Sequence, residues 1–252
     1  MRHGVEVVPD KRALMEAGAA AFAAAARAAI AAHGRFVTAL SGGSTPRALF
    51  ELLATKRFAA SIDWSRIHVC WVDERAVPPD ADASNYRMAR EALLDHVPIP
   101  PSQVHRIRGE EPPMIAAAAY ERTLRTLFAT PVGPPRPVPG ARFDLVLLGM
   151  GDNGHTASLF PGLQAVRETE RWVVAESVAE VRMWRITLTP VVLNGSAEVL
   201  FLVSGGDKAS MLHRVLDGPV RPDTYPAQIV APHHGRLRWL VDTDAAAELE
   251  ER

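Results

Sequence analysis

The sequence predicts an α/β fold in which a mostly parallel sheet is covered by helices on both faces. Two observations predict it. Apolar runs of strand length alternate along the chain with helical patterns, the order that parallel strand–helix–strand units produce. The run Leu145–Leu148, LVLL, is apolar at every position, which suits a strand buried on both faces. The chain has 252 residues, enough to bury a substantial core. It reads as one domain over 1–252, with a small lobe expected around 77–113.

Taken in order, Val5–Val8 is the first strand, and an alanine-rich helix follows that Asp10 can cap. That helix, Ala13–Ala32, could be taken for the apolar stretch of a signal peptide. Glu16 and Arg27 interrupt it, its apolar run Ala19–Ala26 falls short of the roughly 20 residues a membrane span needs, and no basic leader precedes it. Alanine is a strong helix former but only weakly hydrophobic, so the expectation is a soluble helix packed closely on a sheet. Phe36–Leu40 is the second strand. The helix Pro46–Ala54 carries proline in its first turn, where a missing N–H costs nothing. Ile67–Val72 is a strand, and Tyr86–His96 and Pro112–Phe128 are helical. Thr130–Gly140 holds five prolines and reads as a stiff surface loop. Phe143–Leu148, Trp172–Ala175, Arg185–Leu188 and Val199–Val203 are strands. Asp207–Leu216 is a helix, Leu237–Val241 the last strand and Thr243–Glu251 a last helix. Trp71, Trp172, Trp184 and Trp239, in or beside strands, are expected to pack.

Lys and Arg number 28 against 29 Asp and Glu, a formal charge of −1, so no bulk electrostatic attraction to nucleic acid or an anionic membrane is expected. A single cysteine, Cys70, excludes an internal disulfide and a zinc site of several thiolates. It lies in an apolar strand and reads as a packed core thiol. His233 and His234 lack metal-ligand spacing. The composition is that of a soluble, cytoplasmic protein.

Ligands of open α/β sheets bind beyond the carboxyl ends of the strands, and four polar clusters fall there. In Ser41-Gly42-Gly43-Ser44-Thr45, two glycines admit close backbone approach and a helix start offers unpaired N–H groups to an anion. A plain turn with a serine or threonine cap reads equally well. Asp73-Glu74-Arg75 puts three charges at the end of a buried strand, where they must pair or face a cleft. Gly149-Met150-Gly151-Asp152-Asn153-Gly154-His155 formally matches Gly-x-Gly-x-x-Gly, but Pro161-Gly162 leaves no room for the helix a dinucleotide site requires. A histidine in such a loop reads better as a general acid or base. Lys208, in Ser204-Gly205-Gly206-Asp207-Lys208, puts a cation near a helix N-terminus, against the helix dipole, and Arg185 is a further candidate cation.

These stretches together resemble the 6-phosphogluconolactonases, within the family that also holds the glucosamine-6-phosphate isomerases. The resemblance is carried by LSGGSTP (Leu40–Pro46), WVDERAVPPDADASNY (Trp71–Tyr86), FDLVLLGMGDNGHTASLFPG (Phe143–Gly162), RITLTP (Arg185–Pro190), FLVSGGDKASML (Phe201–Leu212) and YPAQIV (Tyr225–Val230). The related glucosamine-6-phosphate deaminases look like DEY rather than DER, and like GHIAFNEP at the histidine. Two departures stand out: Asn153 occupies a position more usually aspartate, and Val178–Trp184 lacks the prolines and lysine common before the RIT strand.

The resemblance implies a fold of the glucosamine-6-phosphate deaminase and ribose-5-phosphate isomerase kind, with no metal and no nucleotide cofactor. It implies hydrolysis of 6-phospho-D-glucono-1,5-lactone to 6-phosphogluconate in the oxidative pentose phosphate pathway. Ser41, Gly42, Gly43, Ser44 and Thr45, with Arg185, Lys208 or both, would bind the phosphate. His155 would activate water, Asp73 would orient His155 or a sugar hydroxyl, and Arg75 would hold substrate or developing negative charge. The expected partner is a small sugar-phosphate lactone, with no nucleic acid or membrane, and the expected state is a monomer.

Overall fold

The computed structural model describes residues 4–129 and 142–250, so the proline-rich stretch Thr130–Gly140 lies outside the described residues. The elements follow in chain order: β1 (Val5–Val8), α1 (Lys11–His33), β2 (Phe36–Leu40), α2 (Ser44–Leu53), α3 (Lys56–Ala59), β3 (Ile67–Trp71), β4 (Asp73–Arg75), α4 (Asn85–Ala92), α5 (Pro113–Ala129), β5 (Leu145–Leu148), β6 (Val173–Val178), β7 (Met183–Leu188), α6 (Pro190–Gly195), β8 (Glu198–Val203), α7 (Ala209–Leu216) and β9 (Arg236–Asp242).

A six-stranded sheet runs in the order β1-β9-β8-β5-β2-β3, with every neighbouring pair parallel. Every residue of β2 and of β5 is buried, as an apolar central strand requires. A second sheet is antiparallel, in the order β4-β7-β6. The sequence indicates β6 and β7 as strands. It hides their antiparallel pairing, and it hides β4, whose DER triplet looks like a strand's polar end rather than a strand.

α1 meets the length and composition of a membrane span, yet it buries Leu14, Gly18, Phe22, Ala26 and Ala29 along one face. That face packs on α2, β2 and β9, with the Phe22 ring edge-on to Phe36 at 5.3 Å. Asp10 caps α1 by accepting from the Ala13 amide at 2.8 Å, and Gly34 closes it in the left-handed region at φ 81°. At the opposite edge, the Tyr120 hydroxyl of α5 bridges one residue of β3. It accepts from the Trp71 amide at 2.8 Å and donates to the Trp71 carbonyl at 2.9 Å, supplying an edge strand with a partner. Cys70 of β3 is buried, and burial pushes its thiol pKa up. The segment 77–113 packs beside this edge, where Val104 bridges Val69 and α4 lies on α2.

Several boundaries differ from expectation. α2 begins at Ser44, ahead of Pro46. The Tyr86–His96 helix is α4 followed by a separate 3-10 turn, Leu94–His96, because Leu93 leaves helical geometry at φ −138°. The Thr243–Glu251 helix does not form. Residues 243–250 make turns instead, with the Asp242 carboxylate accepting the Ala245 amide at 2.9 Å. So short a segment does not offset the cost of nucleating a helix, even though the Asp242 contact has the i to i+3 spacing of an N-cap. Trp184 does not pack: it is exposed on β7, whereas Trp71 and Trp239 are buried.

Candidate active site

The carboxyl ends of β2, β5 and β8 converge, and the small sheet brings β4 and β7 against them. Ser41, Gly42, Gly43, Ser44, Thr45, Asp73, Arg75, His155, Arg185 and Lys208 all line one cavity of about 260 Å³. The sequence singles out every one of them. Asn85 and Ser158 also line it, and no local pattern marks either as more than part of a motif.

The first loop requires its glycines. A Cβ on Gly42 would sit 1.8 Å from the Asn85 side-chain oxygen, and Gly43 adopts φ 109°. Gly43 is the N-cap of α2, and no side chain caps the helix. The serine or threonine cap is therefore absent, and the positive end of α2 opens toward the cavity. The Ser41 hydroxyl is buried without a hydrogen-bond partner among the described residues.

The DER triplet divides its labour. Glu74 is buried and accepts from the amides of Arg75, Asn85 and Tyr86 and from the Ser84 hydroxyl, so it clamps the start of α4. Burial raises its carboxyl pKa against the pull of those three amides. Asp73 accepts from the Ser158 hydroxyl at 2.6 Å and from the Asn85 side-chain Nδ2 at 3.1 Å. Arg75 donates to the Ala83 carbonyl at 2.6 Å.

Asp73 does not hydrogen-bond to His155. The bond that orients the imidazole comes from Asn153, whose Oδ1 lies 2.6 Å from His155 Nδ1 and also accepts the His155 amide at 3.1 Å. The ring stacks on Phe160 at 4.1 Å. A Cβ on Gly151 would strike it at 2.0 Å, so glycine there leaves room for the imidazole. Burial pulls the His155 pKa below 6.5; Asp73 and Glu180 oppose that fall, and Arg185 and Lys208 add to it. Next to this loop Ala157 holds φ 49°, a left-handed conformation uncommon for a residue with a Cβ.

Arg75 and Arg185 face each other across the β4–β7 ladder. Both have a buried Nε without a hydrogen-bond partner, and neither makes an ion pair among the described residues. Burial pulls the Arg185 pKa down, Asp73 opposes this, and Arg75 adds to it. Lys208, by contrast, is engaged by Asp152 and lies 3.7 Å from Asp207. Two neighbouring arginines with orphaned Nε–H groups, a helix N-terminus and a buried hydroxyl form a receptor for an anion. Among the described residues no group of three or more His, Cys, Asp or Glu side chains could hold a metal ion.

An open parallel sheet with an anion-receiving cavity beyond its strand ends, and a histidine held in that cavity, defines an α/β protein built to take a small anionic ligand. Residues 9–239 match the family described as Glucosamine-6-phosphate isomerases/6-phosphogluconolactonase, and the chain belongs to that family. It is 39% identical over 252 residues to the 6-phosphogluconolactonase of a Nostoc species, covering 99% of each chain. It is 40% identical over 255 residues to that of Mycobacterium tuberculosis, again covering 99% of each. The solved 6-phosphogluconolactonase of Trypanosoma brucei superposes with a TM-score of 0.84 at 28% identity, covering 99% of each chain.

Proposed function

We propose that this protein hydrolyses 6-phospho-D-glucono-1,5-lactone to 6-phosphogluconate, the lactone-opening step of the oxidative pentose phosphate pathway. The observation that carries the reading is the company of His155: an imidazole oriented through Nδ1, in a cavity whose arginines have no ion-pair partner among the described residues. Its full-length relatives carry the matching name. The reading takes residues 1–252 as one lactonase domain, working in the cytoplasm.

The 6-phosphate binds at the start of α2, against Ser41, the loop of Gly42 and Gly43, Ser44 and Thr45, with Arg185 and Lys208 supplying charge. The lactone carbonyl then lies near His155. His155 Nε2 takes a proton from water as the water oxygen bonds to C1. Arg75 steadies the negative charge that develops on the carbonyl oxygen. As the C1–O bond to the ring oxygen breaks, the imidazolium returns the proton to that oxygen, and the new carboxylic acid loses its own proton to solvent. Asp73 stabilises the imidazolium through space and presents a carboxylate to a sugar hydroxyl.

The test is lactone loss followed after generation in place by glucose-6-phosphate dehydrogenase, counted as the excess over spontaneous hydrolysis. His155→Ala should lose on the order of 10²–10⁴-fold in kcat, the usual worth of one positioned acid–base group, while still binding 6-phosphogluconate. Near-full turnover by that variant would remove His155 as the base. No excess in the unaltered protein would redirect the search to ammonia release from glucosamine-6-phosphate.

A further inference from the structure

The imidazole partner, Asn153, is itself held. Its side-chain Nδ2 donates to Glu180 Oε2 at 2.9 Å. Glu180 lies in the short 3-10 turn Ala179–Val181 between β6 and β7, which closes with Arg182 in the left-handed region at φ 48°. A residue of the small sheet's hairpin thus reaches the loop that carries His155.

We propose that Glu180 is a positioning residue for the reaction: by accepting the Asn153 N–H it fixes which end of the amide faces His155, and so which ring nitrogen is the base. The inference rests on the reading of His155 as that base. The two ends of an amide are chemically distinct, one a donor only and the other an acceptor only. A carboxylate accepts only, so Nδ2 must face Glu180 and Oδ1 must face the ring. An oxygen that only accepts requires the neutral imidazole to carry its hydrogen on Nδ1, which leaves the lone pair on Nε2. Turned end for end, the amide would present N–H to Nδ1 and move the ring hydrogen to Nε2, the tautomer that cannot take a proton from water. The His155 amide holds the same Asn153 oxygen more loosely, at 3.1 Å, so losing Glu180 leaves a mixture of the two arrangements rather than full inversion.

Glu180 also contributes charge. The groups facing His155 are Asp73 from β4, Arg185 from β7, Glu180 from the hairpin turn and Lys208 ahead of α7, with Asp152 of its own loop tied to Lys208. Removing one anion from that balance favours the neutral imidazole, so activity should persist to lower pH.

Two variants separate orientation from charge. Glu180→Ala removes both. It should lower kcat by about tenfold with KM little changed, as expected of misoriented catalytic groups. Nitrogen NMR of His155 should then show mixed tautomers where the unaltered protein shows Nδ1–H. Glu180→Gln keeps an acceptor for Asn153 and loses the charge. Its amide can also donate and so holds Asn153 less strictly than a carboxylate. It should retain more of the Nδ1–H tautomer and of kcat than Glu180→Ala, while the acid limb of kcat/KM moves down by roughly half a pKa unit. A single Nδ1–H tautomer in Glu180→Ala, or an unchanged kcat, overturns the proposal. The tautomer measurement needs no turnover, so it decides this inference even if the unaltered protein fails to hydrolyse the lactone, a result that would count against the proposed function alone.

Discussion

At the scale of single residues, the chemistry of His155 is set by what surrounds it rather than by its loop alone. Burial is the largest influence and pulls its pKa below 6.5. A base must be neutral to accept a proton, so lowering its pKa extends activity toward acid. The acid limb of kcat/KM for lactone hydrolysis should therefore have its midpoint below about 6.5, the ordinary histidine value. A pH profile with the midpoint above that would show that the neighbouring anions outweigh burial. The residues that line the cavity were legible because glycine-rich turns after apolar strands are local signals. Asn85, Ser158 and the Asn153–Glu180 bond were not, since each matters through a partner distant in the chain. For the same reason the sequence leaves Asp73 open to His155 or a sugar hydroxyl, and does not show that Ser158 and Asn85 are the side chains that donate to it.

At the scale of elements, the central strands announce themselves by composition, whereas edges and second sheets do not. Nothing in Asp73–Arg75 tells that it pairs with Arg185–Thr187, because pairing is a long-range fact. The last segment fails oppositely: its alanine and glutamate content favours helix and Asp242 accepts from Ala245 as an N-cap would, yet so short a segment does not offset the cost of nucleation. The edge strand β3 offers a direct test of how side chains finish a sheet. Tyr120→Phe keeps the ring in its buried site and removes only the hydroxyl, leaving the Trp71 amide and carbonyl without that partner. The expected cost is about 1–3 kcal/mol, read as a lower urea midpoint with an unchanged slope. A midpoint equal to that of the unaltered protein would mean that the bridge adds nothing to the edge.

At the scale of the whole molecule, the cavity is completed within one chain, from Ser41 near one end to Lys208 near the other. No second copy is needed to build it, and light scattering on a sizing column should give a mass near 27.4 kDa. A dimer mass would refute the monomer. The alternation of strands and helices made the parallel sheet legible from the sequence, since burial on both faces leaves no choice of residue. The cavity's assembly from distant segments was legible only as a list of clusters.

The sole cysteine gives this architecture a built-in clock. Cys70 sits in β3 paired beside Ala39 of β2, sealed from solvent and with its thiolate disfavoured. A thiol reagent can reach it only in molecules where those strands have parted, and only the deprotonated sulfur reacts. The rate of labelling therefore counts openings of the sheet beneath the cavity, with no residue engineered in, and comparison with and without 6-phosphogluconate would report how far an occupied cavity holds that sheet shut.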